Sequence, residues 1–355
     1  MVIPDFFMRV SFFTLINFLN FASSAQVREY NFFRNLFGKT TYDSNYVTSY
    51  YNDLHITGVS ILHNQQVEIF DYVTRKRINF KPNNTFTFGF GLDWKFLTIE
   101  LSRSFNAISP VDESKGETNG FNLRVGLTGK KFLASSLLQV YQGMYISNPQ
   151  NVYPNWDINN DKYPTRPDIT SVVLFASLYY NFNATKFSTM AALWQLDKQL
   201  KSNGGMLTGI TFNANTVATD SILTTGKFGL AIDPSNQIQT TSSSLIGINI
   251  GYGYTQLWRK NYFISSLFMP GLNIQSAYYK NVTEEEIISP IKLGVHGDFR
   301  LIVGYNGPEY YAGIHYANYF IQNRISELIE INLFNSYLRF FIGKRFAFVN
   351  KRKAL

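Results

Sequence analysis

The sequence predicts an all-β fold, a transmembrane antiparallel β-barrel of about fourteen strands, with twelve as the alternative, after a cleaved signal peptide. Three observations lead there. Apolar residues recur with a period of two, often over more than ten residues, whereas strands of soluble sheets run to about five or six. No stretch reaches the ~18 consecutive apolar residues that a membrane-spanning helix needs. Short and long connections alternate along most of the chain, with 198–241 the exception, as the two ends of an outer-membrane barrel require.

Composition sets the outer bounds. The 355 residues are 45% apolar, 17% aromatic and only 16% charged, with 32 Phe and 23 Tyr. Disorder needs the opposite balance. There is no Cys, which excludes disulfides, thiolate zinc sites and a thiol nucleophile. The net charge of +8 is spread over turns and the tail without a basic stripe, so no nucleic-acid partner is expected.

Residues 1–25 read as the signal peptide. Arg9 supplies the positive region, Val10 to Ala22 the apolar run, and Ser23-Ser24-Ala25 the small-residue cleavage site. Charge, apolar run and small residues come in the order that export requires. Residues 26–53 form a polar, aromatic lead-in in the periplasm. The barrel is expected over residues 54–348, and residues 349–355 form a basic tail.

Within the barrel the alternation is explicit. Phe86, Phe88, Phe90 and Leu92 alternate with Thr87, Gly89 and Gly91. Phe121, Leu123, Val125 and Leu127 alternate with Asn122, Arg124, Gly126 and Thr128. Ile246, Ile248, Ile250, Tyr252 and Tyr254 oppose Gly247, Asn249, Gly251, Gly253 and Thr255. In the last strand, Leu338, Phe340, Ile342, Phe346 and Phe348 oppose Arg339, Gly343 and Arg345. The apolar faces end in aromatics, as at a membrane girdle, and the opposite faces suit a polar lumen.

The strands so read are 54–62, 84–92, 96–105, 119–129, 132–145, 169–182, 186–198, 206–217, 222–232, 243–257, 262–277, 291–305, 310–321 and 332–348. Short periplasmic turns fall at 93–95, 129–131, 183–185, 258–261 and 306–309, and long outer loops at about 106–118, 146–167, 233–241, 279–290 and 322–328. An outer hairpin over 66–82 keeps the parity. The count becomes twelve if 54–62 and 222–232 lie outside the barrel.

Several stretches carry a resemblance. Tyr163-Pro164-Thr165-Arg166-Pro167-Asp168-Ile169, Tyr179-Tyr180-Asn181-Phe182-Asn183, Lys186-Phe187-Ser188, Lys81-Pro82-Asn83, Phe88-Gly89-Phe90-Gly91-Leu92 and Gly251-Tyr252-Gly253-Tyr254-Thr255 are similar to the family called domain of unknown function 4421. The likeness runs from about Tyr50 to Phe348. It implies an exported Gram-negative envelope protein with an outer-membrane β-barrel. It carries no activity.

Chemistry is sparse. His296, Asp298 and Arg300 share one face of one strand, because their spacing is two. Glu100, Arg124 and Arg339 fall on polar faces of other strands, and His315 is expected to face the lumen near His296. These seven are either a charged constriction or a salt-bridged filling. Tyr153, Trp156, Tyr163 and Arg166 lie on the long loop 146–167, where aromatics could bind a surface ligand or stiffen a loop over the mouth. The motif Gly-x-Ser-x-Gly is absent. No enzyme activity, metal or cofactor is expected. Expected partners are outer-membrane lipid, the barrel-assembly machinery and an unidentified solute or surface ligand. The preferred role is a narrow or gated passage for small solutes. A structural or adhesive barrel with a plugged lumen, and a barrel-embedded hydrolase or lipid-modifying enzyme, are the alternatives.

Overall fold

Residues 39–72, 74–83, 86–104, 112–129, 131–153, 155–159, 161–223, 238–281, 286–321 and 329–347 are described by a computed structural model. The wall is a closed antiparallel barrel of twelve strands. In chain order they are β2 (Leu54–Asp71), β4 (Phe86–Trp94), β5 (Leu97–Arg103), β6 (Asn119–Thr128), β7 (Phe132–Ile146) and β8 (Thr165–Asn181). Then come β10 (Asn203–Ala218), β11 (Ile238–Leu257), β12 (Tyr262–Asn281), β14 (Lys292–Asn306), β15 (Tyr310–Ile321) and β16 (Ile329–Phe346). The ladder between β16 and β2, from Phe346 opposite Leu54 to Ile329 opposite Asp71, closes the wall. Leu54 and Phe346 therefore lie at the end that carries the short turns, which is periplasmic in such barrels.

Polarity is inverted relative to a soluble protein. Leu293 is 85% exposed and Phe90 75%, whereas Asp298 and Arg300 are 1% and 2% exposed. The apolar faces read from the alternation point to lipid, and Thr87, Asn122, Arg124, Asn249 and Arg339 line a buried interior.

Two short strands modify the wall. β3 (Lys76–Lys81) folds back from β2, pairing Val67–Asp71 with Phe80–Lys76. Its far edge meets β7 at Phe80 opposite Ile146. β3 thus crosses above the short strands β4, β5 and β6 and narrows the outer end, since barrel diameter follows strand number. β13 (Glu286–Ile288) pairs with the outer end of β12.

The count is two short of fourteen. β10 pairs directly with β11, which leaves no place in the wall for the expected strand 222–232; the second loss has an identifiable cause. Residues 186–198, read as a strand, are not one. They contain the helix α1 (Thr189–Leu193) and the short β9 (Asp197–Gln199), which pairs with β1 (Val47–Ser49) from the lead-in. The apolar run deceives because its residues are buried on every side: Met190, Ala191, Ala192 and Leu193 are all 2–3% exposed. A wall strand would show one face to lipid. The weak 54–62 stretch, by contrast, is the inner half of β2, and the 66–82 hairpin forms from β2 and β3.

The leader 1–25 lies outside the described residues, as do the lead-in up to residue 38, most of strand 222–232, part of loops 106–118, 233–241 and 279–290, all of loop 322–328, and the tail 349–355.

Candidate functional site

All seven lumen residues reach the interior and are buried there. They form two charged groups. Arg339 Nη2 and Nε donate to Glu100 Oε2 at 2.6 and 2.9 Å. Arg124 Nη1 stands 3.6 Å from Glu100 Oε1. Its guanidinium lies 4.8 Å from the Tyr337 ring and 5.4 Å from Trp194. In the second group Arg300 Nη2 donates to Asp298 Oδ2 at 2.8 Å, and Tyr179 OH donates to the same oxygen at 3.1 Å. Aromatic walls and paired charges leave these ions little contact with water, so each depends on its partner.

The two histidines do not meet. Register sets His296 opposite Ile321 and His315 opposite Ile302. The six positions between His315 and Ile321 separate them by ~20 Å along the wall. His315 stacks edge-on against Tyr337, 5.5 Å between ring centres. His296 has its own niche: a Cβ on Gly247 or Gly271 would come 2.3 or 2.5 Å from its Cε1. The small residues opposite the apolar face make room for that ring. Among the described residues no three His, Asp or Glu side chains gather closely enough to hold a metal ion.

Below the charged layer sits a plug that sequence reasoning missed. The connection from β8 to β10 turns into the periplasmic mouth. It seals the lumen with Phe187, Leu193, Trp194 and Leu196, which pack with Val59, Leu133 and Leu207 of the wall. Ser188 caps α1, accepting from Ala191 N at 3.0 Å and donating to Asp197 Oδ2 at 2.8 Å. Tyr42 of the lead-in stands 3.1 Å from Ser188 Oγ. From the wall, Asn306 Nδ2 donates to Asp197 O at 2.9 Å and Arg345 Nη2 to Gln195 O at 2.6 Å. Tyr50 and Tyr311 flank that guanidinium at 4.2 and 4.6 Å. Burial pushes the Asp197 carboxyl up, opposed by hydrogen bonds from Tyr42, Ser49 and Ser188. Burial, then Lys260 and Arg345, push the Lys198 ammonium down. The available signal was Ser188 before Met190-Ala191-Ala192-Leu193, a cap followed by helix formers.

The outer mouth is closed by apolar packing. Val67, Ile69, Ile78, Phe80, Val152 and Trp156 belong to one buried cluster. The four outer-loop residues serve this cap. Tyr153 and Trp156 are buried, and Trp156 lies 5.2 Å from the Tyr163 ring. Arg166 pairs with Asp168 at 2.9 Å and donates to Thr219 Oγ1 at 2.6 Å and Ile222 O at 2.8 Å. It ties two outer loops together. Between cap and charged layer, a cavity bounded by Gln65, Asn213, Asn215 and Tyr319 has about 10 Å³, room for roughly one water.

No curated protein matches the chain. Among solved structures, the outer-membrane protease OmpT from Escherichia coli is similar at 9% identity and a TM-score of 0.38, over 87% of this chain and 99% of that one. The toluene transporter TodX of P. putida is similar at 6% identity and a TM-score of 0.27, over 84% and 91%. Neisserial surface protein A is similar at 8% identity and a TM-score of 0.24, over 82% and 97%. The family described as a domain of unknown function, DUF4421, matches residues 41–346. A closed barrel with an apolar exterior belongs in the bacterial outer membrane, and this chain is a member of the DUF4421 family.

Proposed function

We propose that the protein is a non-enzymatic outer-membrane barrel closed at rest, a structural or adhesive element that works through its outer surface. The observation that carries this reading is the filling of the lumen at three levels: plug, paired charges and apolar cap. A solute path would need all three to part. Planar-bilayer recording of the refolded mature protein tests it. Silence from a heat-modifiable, folded barrel is the expected result. Discrete conductance steps would reject it.

A gated passage is the second reading, favoured by the plug being one connection held largely by side chains. Replacing residues 187–199 with a short Gly-Ser turn separates the two. If the cap still blocks the variant, the closed barrel stands. Steps in the variant, together with rare openings of the wild type, support a gate.

A hydrolase has weaker support. His63 Nε2 lies 3.2 Å from Thr87 Oγ1, but its Nδ1 meets the Gln139 amide at 3.0 Å. An amide supplies no charge to stabilise an imidazolium.

A further inference from the structure

We propose that the periplasmic rim is a binding collar for the phosphate headgroups of anionic phospholipids in the inner leaflet. The short turns place cations at the edge of the apolar belt. Lys95 Nζ lies 4.2 Å from the Trp94 ring, Lys131 Nζ 5.7 Å from Tyr180, and Lys344 Nζ 5.0 Å from Tyr310. Trp258, 69% exposed, leads directly into Arg259 and Lys260. The turns belong to different pairs of strands, so the cations are distributed round the barrel.

The aromatic partners choose between lipid and a soluble polyanion. Trp94 and Tyr310 are 51% and 49% exposed on the outward face, which meets the bilayer. A cation stacked on such a ring stands at headgroup depth, its stem on the apolar side and its charge on the polar side.

Two further observations point the same way. Lys95 and Arg259 occupy turn positions with φ in the left-handed range, at 55° and 78°, where Gly or Asn is the usual residue. The turns thus carry a cation where backbone geometry favours another residue. The rim cations also have little neutralisation of their own. At the rim Lys344 has Glu309 at 3.2 Å, but both are well exposed, and such pairs are weak. Lys95, Lys131, Arg259 and Lys260 have no carboxylate partner among the described residues. Lipid phosphate would supply it.

Tryptophan quenching tests the proposal. Of the four Trp, Trp94 and Trp258 stand at the rim, while Trp156 and Trp194 are each 6% exposed. The full mature protein is refolded in dioleoylphosphatidylcholine vesicles holding equal fractions of brominated phosphatidylglycerol or brominated phosphatidylcholine. The anionic quencher is expected to act roughly two-fold more strongly, and 1 M salt should abolish the difference. The combined variant K95Q/K131Q/R259Q/K260Q, checked for folding by heat-modifiable mobility, should quench equally with both lipids. Equal quenching in the wild type, or a preference that survives both salt and substitution, would overturn the proposal. Binding to purified peptidoglycan through the same residues without lipid preference would overturn it too, assigning the collar to the cell wall. Should the variant fail to fold, the wild-type salt titration decides alone.

Discussion

Arg339 and Glu100 are three strands apart in the barrel wall, yet two hydrogen bonds of 2.6 and 2.9 Å join them across the interior. Glu100 has a partner close by in the chain, since Arg124 lies opposite it in the β5–β6 ladder at 3.6 Å. Arg339 meets Glu100 only because closure brings β16 round to β2.

Glu100→Gln would leave two guanidiniums buried without a counter-charge. Removing one member of a buried pair costs about 3–5 kcal/mol. The variant should therefore unfold from vesicles at clearly lower urea, followed by heat-modifiable mobility. Glu100→Leu combined with Arg124→Leu and Arg339→Leu, which removes the whole charged group, should recover most of the loss. An unchanged midpoint for Glu100→Gln would mean that the pair contributes nothing.

Phe340 faces lipid between Ser60 of β2 and Ile314 of β15, 40% exposed. An aspartate there must enter hydrocarbon, at a cost of about 2 kcal/mol. Phe340→Asp should lower the yield of heat-modifiable barrel in vesicles, and Phe340→Leu should not. Normal assembly of the aspartate variant would put this face elsewhere.

Gly271→Ala would set a methyl group 2.3 Å from Ile248 O and 2.5 Å from the His296 ring. Overpacking of this kind costs about 1–3 kcal/mol. The ring can be removed but the carbonyl cannot, so Gly271→Ala with His296→Ala should recover only part of the urea resistance. Complete recovery would locate the whole strain at His296.

Asp197 gives the plug a pH dependence. Its carboxyl is raised, chiefly by burial, so the folded plug holds the proton more tightly than the unfolded chain does. The plug is then favoured below the unfolded value of about 4. That advantage falls as pH rises to the folded value and is fully lost above it. Protease cleavage within residues 182–202 should increase from pH 4 to pH 8 in the wild type. Asp197→Asn keeps an acceptor for Ser188 and removes the titration, so its cleavage should be level across that range. A parallel rise in both proteins would exclude Asp197 as the cause.

Strand alternation made the wall legible in the sequence. Phe90, Leu92, Ile246, Ile248 and Leu293 could face only lipid once Thr87, Asn249 and Arg300 were assigned to the other side. The lumen residues were legible for the same reason, since a period of two fixes the face of every charged side chain. The plug was not, because Met190 to Leu196 is apolar but for Gln195 and a buried run carries no period to read. The expected meeting of His296 and His315 failed on register, which depends on how β14 and β15 slide past each other.

The sequence by itself determined the class of fold, the face of most wall strands and the place of the short turns. Those follow from local periodicity and turn chemistry, which act between near neighbours. Tertiary structure alone decided that twelve strands close the wall, that β3 narrows the outer end, that residues 187–199 fill the mouth, and which charge answers which. Those depend on pairings between distant segments, and only closure of the sheet brings such segments into contact.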